Sequence, residues 1–381
     1  MARVMGVINK NKVFFCFLYL CVVFCARAEC GEAPSRGLFV SVIQEPAVLS
    51  SREEIRKLIH FSKTSKIETL FVQVYRSNKA WFPSKVSNTE PYQTCLKNVS
   101  EDPFALLIRE AHAEGIKVHA WLNLLSLSAN GQAPILKKYG PEILTRNLKV
   151  KKTLEDYKID NQFFLEPGDL RVRQVLSTVV EEILSAYPEL DGIQFDYIRY
   201  PDMHPAYGHT KINTDRFKKA TGAKTIEEQS QAWKSWKRKQ VTYLLKTLVE
   251  KARSMRPGIQ VSTTGLMPYI RANEEAFQDW RSWVKSGLVD FVTLMCYTRD
   301  DAQFQRYLKD GQYRIGDLKK VNIAMGAYKL VDSPEIFLHQ YKICEESQNR
   351  SCLALHYGSL LENPVLGSVY NKPHRFQGDD G

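Results

Sequence analysis

A carboxylate in the middle of an apolar run is the first residue here that could do chemistry. It is Asp196, within Asp191-Gly-Ile-Gln-Phe-Asp-Tyr-Ile-Arg-Tyr-Pro201. Side chains alternate across a strand, so Ile193, Phe195 and Tyr197 share one face and Gln194, Asp196 and Ile198 the other. The apolar set suits packing against helices, which leaves Gln194 and Asp196 on the opposite side. A carboxylate in such a run is paired, solvated or functional, because stripping its water is costly. Two readings follow for Asp196: a core group ion-paired with Arg199, or a reactive carboxylate at the end of its strand. Asp191, at the strand's other end, reads as structural.

Glycosidic bond cleavage generally takes two carboxyl groups across the scissile bond, one an acid and the other a base or nucleophile. Glu166 is the first candidate partner for Asp196, because it precedes the Pro167-Gly168 turn that leads into a helical pattern. Asp300, Asp301 and Glu45, each just beyond an apolar run, are the alternatives. Gln73, Tyr75, Trp81, Trp121, Asn123, Gln194, Tyr297 and His356 fall at or just past the ends of apolar runs and suit a sugar-binding lining. Aromatic faces stack on pyranose rings, and amides bond hydroxyls in both senses. Arg199 is placed to pair with Asp196, which would favour a base or stabiliser over an acid. Ordinary barrel packing is the competing reading for Met295, Tyr297 and Trp121.

Those residues sit in a regular alternation of elements. Strand patterns cover Leu38–Ile43, Thr69–Tyr75, Lys117–Asn123, Gly192–Ile198, Gln260–Thr264, Phe291–Tyr297, Asn322–Ala327 and Cys352–Tyr357. Helical patterns lie between them at Arg52–Ser65, Pro103–Glu114, Leu170–Ala186, Gln231–Met255, Glu275–Ser286, Asp301–Asp310 and Glu335–Glu346. Strict alternation without a break in composition predicts one parallel α/β unit, and about eight repeats predict a (β/α)8 TIM barrel. The alternative, a doubly wound open sheet, lacks its Gly-rich turn after the first strand. Helix-to-strand connections are brief, whereas the third strand-to-helix loop runs over 45 residues, 124–168, and the fourth from Arg199 into the 220s. Barrel enzymes assemble their sites from such loops, at the C-terminal ends of the strands.

Phe164-Leu-Glu-Pro-Gly-Asp-Leu-Arg-Val-Arg173 followed by the Asp191–Pro201 stretch resembles the glycosyl-hydrolase-like family 10 barrels. His119-Ala-Trp-Leu-Asn123, Asp290-Phe-Val-Thr-Leu-Met-Cys-Tyr-Thr298 and Gly326-Ala-Tyr-Lys329 extend the likeness, in register with the strands, from about Gly37 to Leu361. The resemblance implies an exported bacterial TIM barrel acting on a glycan, with Asp196 at its centre. Two positions depart from the family pattern. Tyr197 stands where a second strand acid is common, and Glu166 where many members have Asn or Asp before Pro-Gly. A more distant likeness, to the chitinase pattern Asp-Gly-x-Asp-x-Asp-x-Glu, covers Asp191, Gly192 and Asp196 only. Gln194 and Ile198 replace its other acids, so its proton donor is missing and its mechanism does not transfer.

The remaining signals concern address and partners. Arg3, Lys10 and Lys12 precede an apolar run at Val13–Ala26, and Ala26-Arg27-Ala28 reads as a signal-peptidase site. The run of 14 residues is short for a membrane span, which takes about 20. Residues 1–28 are therefore expected to be a leader, 29–36 a linker, 37–361 the barrel and 362–381 a tail. Loss of four basic residues with the leader lowers the formal charge from +11 to +7. No basic run with interleaved aromatics points to nucleic acid, and no CxxC or HxxxH spacing points to zinc, so no metal or cofactor is expected. Cys344 and Cys352 flank a short polar stretch and could close a disulfide in an oxidising compartment. The reading is an exported glycoside hydrolase for a bacterial, amino-sugar-containing polysaccharide. The alternative is a glycan-binding barrel without catalysis.

Overall fold

The computed structural model describes residues 33–202 and 205–371. The leader expected at 1–28 lies outside the described residues. Eight parallel strands carry the architecture: β1 (Ser35–Val40), β2 (Thr69–Arg76), β3 (Lys117–Asn123), β4 (Gly192–Asp196), β5 (Gln260–Leu266), β6 (Phe291–Met295), β7 (Val321–Met325) and β8 (Ser351–Ala354). Each pairs with the next, and β1 pairs with both β2 and β8, so the sheet closes on itself. The main following helices are α1 (Arg52–Thr64), α2 (Pro103–Ala113), α3 (Leu170–Ala186), α4 (Gln231–Met255), α5 (Trp280–Lys285), α6 (Asp301–Ile315), α7 (Pro334–Glu346) and α8 (Tyr357–Glu362). This is the (β/α)8 barrel that the alternation predicts.

Alternation sorts each strand's side chains into two compartments. Leu70, Val72, Val118, Ala120, Ile193 and Phe195 belong to the large outer core shared with the helices. Phe39, Phe71, Trp121, Phe291, Ala324 and Leu353 form a separate cluster inside the barrel. A polar layer lies with them: the fully buried Gln194 carboxamide oxygen accepts from Thr293 Oγ1 at 2.7 Å and from Ser262 Oγ at 3.3 Å. In register, Gly192 lies beside His119, Gln194 beside Trp121 and Asp196 beside Asn123.

Several boundaries differ from the sequence expectation, each for a local reason. β4 stops at Asp196 because Tyr197 adopts φ +56°, the left-handed region that breaks an extended ladder. β6 and β8 stop two and three residues short of Tyr297 and Tyr357, and β1 runs Ser35–Val40 rather than Leu38–Ile43. Residues 35 and 36, assigned to a linker, are thus strand. Helix α6 continues through Gly311, where a Cβ would sit 2.6 Å from Leu294 Cδ1, so the glycine serves close helix–strand packing rather than ending the helix. The expected tail is packed as far as Tyr370. Leu366 and Tyr370 are buried, and Arg36 Nη1 donates to the Tyr370 carbonyl at 3.2 Å. Cys344 and Cys352 form a disulfide.

Candidate active site

Asp196 ends β4 and points into the barrel. Its Oδ2 accepts from Trp121 Nε1 at 3.0 Å, and its Oδ1 accepts from Thr264 Oγ1 at 2.5 Å and from the Tyr197 backbone N–H at 2.7 Å. Trp121 and Thr264 come from the adjacent strands β3 and β5, so the register that closes the barrel also delivers two of the three donors. The left-handed backbone at Tyr197 turns its N–H back onto the carboxylate. Arg199 is also buried, with Nη1 3.8 Å from Asp196 Oδ1, and its guanidinium carbon lies 4.2 Å from the Tyr197 ring centroid. That Nη1 has no hydrogen-bond partner among the described residues.

The carboxylate is the floor of the strand ends rather than a surface group, with a side chain 6% exposed. Around it stand Tyr197 and Tyr297, both half-buried, and Tyr328, 45% exposed. Tyr297 and Tyr328 meet edge to face with centroids 5.9 Å apart. Burial, and then the charge of Asp196, push the Tyr297 hydroxyl far above the ordinary phenol range, so it remains a protonated donor. The wall is thus aromatic, with a hydroxyl on each ring.

A second carboxylate is linked to the first through Arg199. Asp202 Oδ1 lies 4.0 Å from Arg199 Nε, and Asp202 also ion-pairs with Arg271 of the fifth strand-to-helix loop. Glu166 does not take that place. It is completely buried, its Oε1 accepting from Tyr200 Oη at 2.5 Å and from the Gly168 amide at 3.1 Å, and its Oε2 from Thr145 Oγ1 at 2.9 Å. Burial raises its pKa. Through Thr145 and Tyr200 it fastens the third loop to the fourth, and the expected pairing of Glu166 with Asp196 has no bond among the described residues.

The other expected residues divide. Tyr75 is buried in the outer core and its hydroxyl accepts from Asn78 Nδ2 at 3.0 Å. A register shift between Gln73 and Tyr75 sends it to the helix side, so it is not part of a sugar lining. Gln73 is fully buried, with its oxygen accepting from Ser41 Oγ and its amide donating to Asn123 Oδ1 at 3.0 Å. It and Gln194 brace the barrel interior instead of meeting a ligand. Trp121 holds Asp196, and its ring lies edge-on to Phe39 with centroids 4.9 Å apart, which takes away its stacking role. Asn123 stays beside Asp196. Trp81 and His356 are half-buried, in the second strand-to-helix loop and just past β8. Glu45 is exposed, Asp300 caps α6 and Asp301 pairs with His339. Thr264, Asp202 and Tyr328 were not singled out from the sequence. Thr264 was findable, because it closes a strand next in order to β4.

A closed parallel barrel with a carboxylate held at the C-terminal end of its fourth strand belongs to the (β/α)8 class, which places enzyme sites at that end. The family model described as Glycosyl hydrolase-like 10 matches residues 35–332, and the chain belongs to that family. It is 27% identical over 316 residues to glycosyl hydrolase DigH of Escherichia coli K12, covering 74% of this chain and 70% of that protein. Glycosyl hydrolase YngK of Bacillus subtilis is 22% identical over 272 residues, covering 66% of this chain and 50% of that one. Among solved structures, the PgaB glycoside hydrolase domain from Bordetella bronchiseptica superposes with a TM-score of 0.65 at 15% identity, over 88% of this chain and 98% of that domain. That likeness is one of fold.

Proposed function

We propose that this chain is an exported glycoside hydrolase acting on a bacterial, amino-sugar-containing polysaccharide, with Asp196 as its central carboxylate. The observation that carries the reading is the inward Asp196 side chain with three hydrogen-bond donors, beneath half-exposed tyrosines, in a chain of this family. A carboxylate fixed in this position by three donors can stabilise an oxocarbenium-like transition state or attack it. Asp202, tied to it through Arg199, is the second carboxyl. The tyrosine rings offer apolar faces and hydroxyls to a pyranose. Export is supported by the Met1–Ala28 pattern and by the disulfide, a bond that persists in oxidising compartments. Among the described residues, no helix is long and apolar enough to cross a membrane.

The position of Tyr197, in place of a second strand acid, favours one other reading: a barrel that binds glycan without cutting it. Reducing-end release from a panel of bacterial glycans separates the two. Hydrolysis lost by about a thousandfold or more in Asp196→Asn and in Asp202→Asn, but kept within about tenfold in Glu166→Gln, supports the acid pair. Binding without cleavage, equal in the wild type and Asp196→Asn, supports the binding barrel.

A further inference from the structure

A cavity of about 140 Å³ opens at the opposite end of the barrel from Asp196, where the strands begin. Two side chains of its lining, His119 and Asn322, are each 1% exposed; Asn322 Oδ1 has no hydrogen-bond partner among the described residues, while His119 turns its Nδ1 edge against Gly192. A buried acceptor without a partner in the protein is one that a donor group of a ligand can meet. Lys117 and Arg350 line the same space, and among the described residues neither ion-pairs with a carboxylate. Arg350 lies over the Phe291 ring at 4.4 Å and gives one N–H to Gln260 at 3.3 Å. Glu68 is the one acid in the lining; Asp290, paired with Arg253, acts on Arg350 from outside it, and Asp191, paired with His112, acts on His119. The lining itself carries two cations, the exposed Lys117 and the part-buried Arg350, against that one acid.

We propose that this basal cavity binds a small hydroxycarboxylate anion, its carboxylate between Arg350 and Lys117 and its hydroxyl toward Asn322, beside the His119 ring. Each part answers a feature of the wall. A guanidinium fork matches a carboxylate, and one negative charge balances the lining. A carboxylate cannot donate to Asn322 Oδ1, whereas a hydroxyl can. Burial depresses the His119 pKa to about 3, so the ring is neutral and adds no third charge. The volume is close to the roughly 150 Å³ of a cavity that admits benzene, which is room for an anion of about six or seven heavy atoms. The cavity is remote from Asp196, so the proposal stands or falls independently of the hydrolytic reading.

Long-range nitrogen NMR of the His119 ring, in the whole chain titrated with glycerate, tests it. Saturating shifts are expected with glycerate, with binding at least about tenfold weaker for acetate, which lacks the hydroxyl, and for glycerol, which lacks the charge. Asn322→Ala and Arg350→Gln should each weaken glycerate by about tenfold, and Arg350→Lys should do so while keeping the charge. Shifts that stay linear with concentration, or glycerate binding unchanged in those folded variants, would mean that the cavity holds water alone and would overturn the proposal.

Discussion

Adding one methyl group at Gly192 tests the orientation of β4, and therefore of Asp196, without touching the site. A Cβ there would sit 2.3 Å from both Cε1 and Nδ1 of His119 and 2.8 Å from Cγ. Contacts below 3.0 Å do not persist, so the imidazole must retreat by roughly 1 Å. It retreats against Phe71, whose ring centroid is 5.0 Å away, and Phe291, at 6.0 Å. Overpacking of this kind costs about 1–3 kcal/mol, and at ~2–4 °C per kcal/mol Gly192→Ala should lower the unfolding midpoint by several degrees.

His119→Ala removes the obstacle. In that background the Gly192→Ala methyl enters space already vacated, and its cost should fall to about zero or become a slight gain, since Ala serves a strand better than Gly. Urea unfolding of the wild type, both single variants and the double variant gives the coupling directly, with about 1–3 kcal/mol expected. Effects that add within about 0.5 kcal/mol would show that residues 192 and 119 do not meet inside the barrel. Residues 192, 194 and 196 share one face. Asp196 would then point toward the helices, and the site described above would not exist.

Trp121→Phe keeps the ring packing but deletes the 3.0 Å donor to Asp196 Oδ2; hydrolysis should fall by about ten- to a hundredfold with little change in substrate affinity, read as kcat against KM. His119 gives stability a pH dependence of known sign. Its folded pKa is pushed down to about 3, so the unfolded chain takes up the proton first, and stability is lost as pH falls from about 6.5 toward 3, at up to ~1.4 kcal/mol per pH unit. Subtracting the same curve for His119→Phe isolates that contribution. Reducing the Cys344–Cys352 bond, which spans 8 positions, should cost about 2–3 kcal/mol in urea unfolding and leave the wild type resembling Cys344→Ser/Cys352→Ser.

The barrel was legible because its signals are local and repeated. Apolar strands such as Val118–Leu122 and brief helix-to-strand turns need no tertiary information, and Asp196 follows from alternation within one strand. The misplaced residues depend on events that alternation cannot carry. Tyr75 faces outward because the β2–β3 register slips by one residue after Gln73. Trp121 and Gln73 are inward, as periodicity requires, but are consumed by Asp196 and Asn123 rather than left for a ligand. Glu166 lies on a catalytic-side loop, yet Tyr200 and Thr145 draw it into the protein. Loop position reports which end of a barrel a residue occupies, not which way it turns.

Tyr197 shows most directly how backbone conformation rather than side-chain type makes this site. A non-glycine residue at φ +56° costs about 1–2 kcal/mol, and the extended alternative would have carried β4 onward and sent its ring among the helices. The left-handed turn instead ends the strand at Asp196, returns an N–H to that carboxylate at 2.7 Å, and leaves the ring half-exposed beneath the Arg199 guanidinium. Arg199 in turn reaches Asp196 on one side and Asp202 on the other. A second acid at position 197 in this same conformation would not have extended the strand face. It would have stood at the mouth, where Tyr197 now stands, so the departure from the family pattern replaces a charge beside Asp196 with an aromatic wall and leaves Asp202 as the acid joined to Asp196 through Arg199.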